Sequence, residues 1–183
     1  MKQPHAPNIT NLIGIMLVIV ALVSAGGLYF VASEYSKISE TLVSTEILLS
    51  DMTVIQNNAS NKAIISFSIF LNNPADLDID IYRIEYYLYT GQSPQDSIRT
   101  DSYVGAGGSS SGISILSGST MNEIPLHMTV NGTYMVRFRE SINPDNSLYT
   151  FISGKLLYRI TNYPDVYQEL EFAEIFPVVV QYE

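Results

Sequence analysis

Cysteine and tryptophan are absent from this chain. Without cysteine there can be no disulfide, no thiolate metal ligand and no cysteine nucleophile. A domain built this way is held by packing alone, and thirteen Tyr with seven Phe supply the means. Histidine is nearly absent too, and His5 and His127 are too few for a metal centre or a catalytic pair. Basic residues are scarce: nine Lys and Arg stand against eighteen Asp and Glu, a net charge of −9. That balance cannot neutralise a row of phosphates, so it argues against nucleic acid as a partner.

Charge is missing altogether between Gln3 and Ser33. Within that gap, Leu12 to Val31 holds twelve Leu, Ile, Val or Phe residues. At the usual insertion values they favour the bilayer by about 4 to 7 kcal/mol. Twenty helical residues span roughly 30 Å, the thickness of the hydrocarbon layer. The pattern predicts a transmembrane signal-anchor over residues 11–32, with Leu12, Ile15, Ile19, Leu22, Leu28 and Phe30 facing lipid. The competing reading is a cleaved signal peptide, with Val23-Ser24-Ala25 as the cleavage site. The apolar run continues through Leu28, Phe30 and Val31, which favours the anchor. Lys2 tips the orientation toward a cytoplasmic N-terminus and an extracytoplasmic body at the cell membrane.

Residues 1–10 read as a short tail, and residues 33–45, with Tyr35, Ile38 and Leu42 at helical spacing, as a helical extension or stalk. From residue 46 onward the period changes to two. Ile65, Phe67, Ile69 and Leu71 alternate with polar residues, as do Tyr82, Ile84, Tyr86 and Leu88, then Ile124 to Val130, Tyr134 to Phe138, and Leu156 to Ile160. Alternation of this kind marks strands with one buried face. Seven or eight strands with no helical stretch between them predict an all-β fold, a β-sandwich over residues 46–183 behind the N-terminal helix.

Finer features follow from the same pattern. Leu77, Ile79 and Ile81 are apolar on odd positions, and from Tyr82 the apolar set moves to even ones, which predicts a bulge. Asn131-Gly132 between two alternating runs predicts a hairpin, and Asn72-Asn73-Pro74 and Asn143-Pro144-Asp145-Asn146 predict turns. Gly105 to Gly112, with four glycines and three serines, reads as a flexible loop. Tyr87 and Tyr89 fall on the outward parity of their strand, either as a partner surface or covered by the neighbouring long segment.

The run from Ser66 to Gly91, with Asn73-Pro74 followed by Tyr87, Leu88, Tyr89 and Gly91, resembles the central signature of the late embryogenesis abundant type-2 family. That family is also called the water stress and hypersensitive response (WHy) domain. Ile124-Pro125-Leu126, Phe151 to Ile160 and Leu170 to Phe172 resemble its later strands, so the likeness runs from about Glu46 to Val180. The connection from Ser93 to Ser117 is longer than the family's usual one. The resemblance implies a fibronectin-type (immunoglobulin-like) sandwich, often behind a hydrophobic N-terminal segment. It also implies a binding or protective role without catalysis, here in a membrane-anchored, archaeal-like member.

Chemistry-bearing motifs are few. Asp76, Asp78 and Asp80 invite a calcium reading, but an EF-hand loop needs Gly and Glu where this chain has Ile81 and Tyr87. The favoured reading is the solvated face of a strand start. No G-x-S-x-G surrounds a serine, and Gly105 to Gly112 lacks the Lys and helix of a phosphate loop. The chain is therefore expected to be no enzyme and to carry no cofactor. Asn58-Ala59-Ser60 and Asn131-Gly132-Thr133 are glycosylation sequons in turn-like segments, and Asn8-Ile9-Thr10 is a third on the other side of the anchor.

Beyond the lipid bilayer, the expected partners are proteins of a membrane or surface complex, with this chain as a non-catalytic accessory subunit. The alternatives are a homo-oligomeric, pilin-like surface filament and a tethered stress-protective domain. The strand-like segment Phe176 to Tyr182 offers a route to strand exchange between subunits.

Overall fold

The structure, a computed structural model, describes residues 9–183, with the backbone alone at 9–12, Ser110 and Ser111. The chain divides between Glu40 and Thr41 into two units. The first is almost entirely helix α1, which spans Ile9–Ser44 and ends inside the second unit. Its 36 residues rise about 54 Å at 1.5 Å per residue. Leu12 lies in its first turn. Of the other predicted anchor residues, Ile15, Ile19, Leu22, Leu28 and Phe30 are all uncovered, between 51% exposed (Ile19) and 72% exposed (Leu28). Among the described residues nothing covers the apolar stretch, and its composition and length suit a lipid surrounding. The polar extension that follows carries a Glu34–Lys37 ion pair, 3.4 Å.

The second unit is almost all strand. Eight strands make one mixed sheet: β1 (Glu46–Leu49), β2 (Thr53–Asn57), β3 (Lys62–Asn73), β4 (Ile79–Gly91), β5 (Tyr103–Ile115), β6 (Ser119–Val130), β7 (Ser147–Ile160) and β8 (Tyr163–Tyr182). β3 pairs with β6 on one edge and, in succession, with β2 and β1 on the other. β8, β7, β4 and β5 form an antiparallel run. The last residues of β8 join the two parts by running parallel to β2, Val54 opposite Val180. The predicted exchange segment Phe176 to Tyr182 is thus paired within its own chain, with Val178 and Val180 buried.

Both parts contribute to one core. Ile65, Phe67, Ile69 and Leu71 of β3, Ile84, Tyr86 and Leu88 of β4, and Ile152, Leu156 and Tyr158 of β7 are all buried. Phe67 and Tyr86 meet edge to face with ring centroids 5.0 Å apart. The bulge lies where the parity changes: the pairing of β4 with both neighbours shifts between Ile81 and Arg83. Tyr82, which the alternation assigns to the buried face, is instead the residue pushed out by the bulge, and it is exposed. Asn73, the Asn of the family-like turn, is fully buried and donates to the Leu77 and Leu116 carbonyls at 2.9 and 3.3 Å. Inside this unit the last turn of α1 is capped by the core, since the Tyr158 hydroxyl donates to the Leu42 carbonyl at 3.2 Å.

Three further expectations fail. Tyr134 to Phe138 is no strand: it lies in α3 (Tyr134–Glu140), and no hairpin forms at Asn131-Gly132. Met135 and Phe138, three residues apart, are the buried pair, and Val136 is exposed. The period-two reading left Met135 on the polar face, whereas a helix buries it with Phe138. Gly132, at φ +57°, makes the change of direction that precedes the helix. Nor is Gly105 to Gly112 a loop, because it forms most of β5, paired along β4. A Cβ at Gly107 would collide with the Tyr86 ring, so the glycine makes room for that ring to lie over β5.

Candidate functional site

The outward side of β4, β5 and β7 is rich in rings. Strand alternation sends Tyr87 and the half-buried Tyr89 outward, between the buried Tyr86, Leu88 and Thr90. Tyr89 sits opposite Tyr103 on β5 and Phe151 on β7. Its ring centroid lies 5.5 Å from that of Tyr103 and 5.7 Å from that of Phe151. Tyr134, from α3, meets Tyr103 edge to face at 5.5 Å. The result is a ribbon, Tyr134–Tyr103–Tyr89–Phe151, crossing a helix and three strands. One row along, Tyr87 is flanked by the small residues Ala106 and Ser153 and stays 45% exposed. The Tyr103 phenol is held above its usual value by burial and then by repulsion from Tyr134, Tyr89 and Tyr87.

Beside this ribbon lies a polar cleft of about 370 Å³. Its walls are the end of β4, the short helix α2 (Pro94–Ser97), a 3₁₀ turn (Thr100–Ser102) and α3. Ser93 caps α2, accepting from the Asp96 amide at 3.2 Å and donating to its carboxylate at 2.6 Å. A Cβ at Gly91 would strike the α2 backbone, so only glycine allows that close approach. Gln92 donates to the Glu140 carbonyl at 2.9 Å, tying α3 to β4. Thr90 and Ser141, both buried, share a hydrogen bond beneath the cleft floor.

Arg99 clasps Asp101 with two nitrogens, each 3.1 Å from an oxygen. That hydrogen bond lowers the Asp101 carboxyl, and the more distant Arg137 adds to the effect. The side chains of Arg137 and Glu140 make no hydrogen bond or ion pair among the described residues. The cleft therefore presents unspent donors and acceptors next to aromatic rings.

The three predicted aspartates do not converge. Asp76 is exposed. Asp78 accepts from the Ser117 amide at 2.7 Å, and Asp80 accepts from the Ser114 hydroxyl and lies 3.5 Å from the Arg159 guanidinium. Among the described residues no three His, Asp or Glu gather closely enough to hold a metal ion. Asn58 and Asn131 are both exposed outside strands and helices, where a glycan has room. His127 is exposed on β6, whereas His5 and Asn8 lie outside the described residues.

Sequence patterning found Tyr87 and Tyr89 but not the rest of the ribbon or the cleft. Tyr103 follows a segment with no periodicity, and Tyr134 and Arg137 lie in the helix misread as a strand. The tyrosine count was the one signal that pointed to such a face.

No protein-family model matches this chain, and no curated protein matches it in sequence. Solved structures do. The solution structure of a late embryogenesis abundant protein superposes with a TM-score of 0.51 at 15% identity, covering 92% of this chain and 88% of that one. A crystal structure of a protein from Archaeoglobus fulgidus has a TM-score of 0.46 at 10% identity, over 73% of this chain and 93% of that one. At such identities the first likeness is one of fold alone.

Proposed function

We propose that this chain is a non-catalytic, single-pass membrane protein of the late embryogenesis abundant type-2 (WHy-like) group. In this reading its β domain is a fibronectin-type sandwich closed over on itself, and it lies on the extracytoplasmic side. It serves there as an accessory subunit of a membrane or cell-surface assembly. One observation carries the reading. An uncovered apolar helix continues directly into a β domain whose outer sheet face is ringed by Tyr87, Tyr89, Tyr103 and Tyr134. A membrane anchor and an exposed aromatic face are together what a tethered recognition module requires. The order Asn73-Pro74, Tyr87-Leu88-Tyr89, Gly91 and the likeness in fold at a TM-score of 0.51 support the family assignment.

The test is mild-detergent extraction from native membranes, followed by native-size separation and mass spectrometry. Membrane proteins co-migrating in fixed stoichiometry are the expected result. A polymer of this chain alone would replace the reading with a surface filament. A lone monomer would leave a tethered protective domain.

A further inference from the structure

The aromatic ribbon and the polar cleft meet on α3. Tyr134, Arg137 and Glu140 follow at three-residue steps, so a single stripe of that helix serves both. Tyr103, in ring contact with Tyr134, directly follows Ser102 of the cleft wall.

The charges of the cleft nearly cancel: Arg99 and Arg137 against Asp96, Asp101 and Glu140. Such a set gives a phosphate or carboxylate no net attraction, and a chain of net charge −9 repels anions further. A cation would meet two guanidinium groups. What the cleft offers instead is donors and acceptors side by side, next to ring faces and edges. The matching ligand carries groups that both donate and accept, set next to an apolar C–H surface. Pyranose sugars have this combination, with hydroxyls around the ring edge and C–H bonds on the ring face. The volume, about 370 Å³, falls in the range of small-ligand sites.

We propose that this cleft and the adjoining tyrosines form a binding site for a neutral oligosaccharide. Tyr134 and Tyr103 pack against the C–H face of a sugar ring. The ring hydroxyls donate to Glu140 and accept from Arg137, the two cleft side chains without a hydrogen-bond or ion-pair partner among the described residues. Tyr87, in its flat row of small residues, extends the platform to further sugar units. The inference rests on the reading of the β domain as a non-catalytic module and names its ligand class.

The test uses the full chain in a detergent without a sugar headgroup, run on native gels containing glucan, mannan or galactan, with polygalacturonate as the anionic control. Retardation by at least one neutral polysaccharide is expected, with none by polygalacturonate. Tyr134→Ala and Arg137→Gln, both at exposed positions, should each weaken the apparent affinity by about tenfold, the scale of one lost ring contact or charged hydrogen bond. Tyr167→Ala, at an exposed tyrosine that rests on Tyr82 instead, should change nothing. Unchanged melting temperatures would show that the variants are folded. The inference is overturned by a lack of retardation in every neutral gel, by retardation in polygalacturonate alone, or by undiminished retardation of both cleft variants. Incubation with neutral hexasaccharides separates the two readings: shortened products would overturn the non-catalytic module itself, whereas intact sugars with no retardation would overturn only the ligand.

Discussion

The Tyr86 hydroxyl, on β4, donates to the His127 carbonyl on β6 at 2.9 Å. β5 is an edge strand beyond β4, β6 is held to the sheet only through β3, and Tyr86 reaches from one part to the other over Gly107 of β5. One side chain thus ties the open seam of the fold, and a neighbouring glycine makes its path possible. Tyr86→Phe should lower the unfolding free energy by about 1 kcal/mol, the net value of a hydrogen bond whose loss strands a carbonyl. Gly107→Ala should cost more, about 1 to 3 kcal/mol, because the ring must move. In a Tyr86→Ala background the Gly107→Ala cost should largely vanish. Urea unfolding of the native protein and the four variants measures each value, and strictly additive costs of Tyr86→Ala and Gly107→Ala would refute the packing relationship.

Much of this fold was legible because alternation survives wherever one face is buried. Ile65 to Leu71 and Leu156 to Ile160 behave as their parity demands, and the switch at Ile81 and Tyr82 is a real bulge. The glycine-rich β5 was not legible, since residues without side chains carry no period. Its signal lies in its partner, the Tyr86 ring that needs the space. The α3 segment failed for the opposite reason. In seven residues Tyr134, Met135, Val136 and Phe138 satisfy a strand or a helix equally, and only the burial of Met135 decides. The cleft combines that helix with the long Ser93 to Ser117 connection, so neither of its halves could be assembled from pattern.

Alkali should weaken the β domain through two tyrosines. Burial pushes the Tyr86 and Tyr158 phenols above their ordinary value of 10.0. For Tyr158 the neighbouring Thr45 hydroxyl partly offsets the rise. A group whose folded pKa is raised stabilises fully below its unfolded value and loses that contribution as pH climbs through the folded one. Stability from these two should hold up to pH 10.0 and fall above it. Denaturation midpoints across that range should drop in the native sequence and drop less in Tyr158→Phe. Equal drops in both would remove Tyr158 from the account.

Calcium should do nothing to this domain. Asp78 is committed to the Ser117 amide and Asp80 to Ser114 and Arg159. Millimolar calcium or excess chelator should leave the melting temperature where it is. A shift of several degrees on chelation would reinstate the Asp76, Asp78 and Asp80 site. Asp80→Asn, by contrast, should lower stability slightly without calcium, because Arg159 loses its counter-charge.

Both sequons should be occupied if the β domain is exported in a glycosylating host. Asn58 and Asn131 stand exposed, and Gly132 at φ +57° turns the chain away just after the second. Asn58→Gln and Asn131→Gln should each reduce the apparent mass by one glycan, and the double change by two. A mass unaltered by either change would reject that site.

The glycan prediction and the surface-assembly reading both depend on topology. The apolar stretch of α1 is uncovered from Ile13 to Val31, and its charged neighbours on the domain side are Glu34 and Lys37. In the proposed orientation, Lys2 lies on the far side and its small positive bias favours a cytoplasmic N-terminus. Protease added to intact cells should then remove the whole β domain, with cleavage in the solvated stretch after Ser33 or at exposed turns. A membrane-embedded fragment containing Leu12 to Val31 should remain and resist alkaline carbonate. Full protection of the β domain until the cells are lysed would place it inside and sink both the glycan prediction and the surface-assembly reading. A fragment that leaves with the soluble fraction would instead show cleavage after Ala25 and remove the anchor.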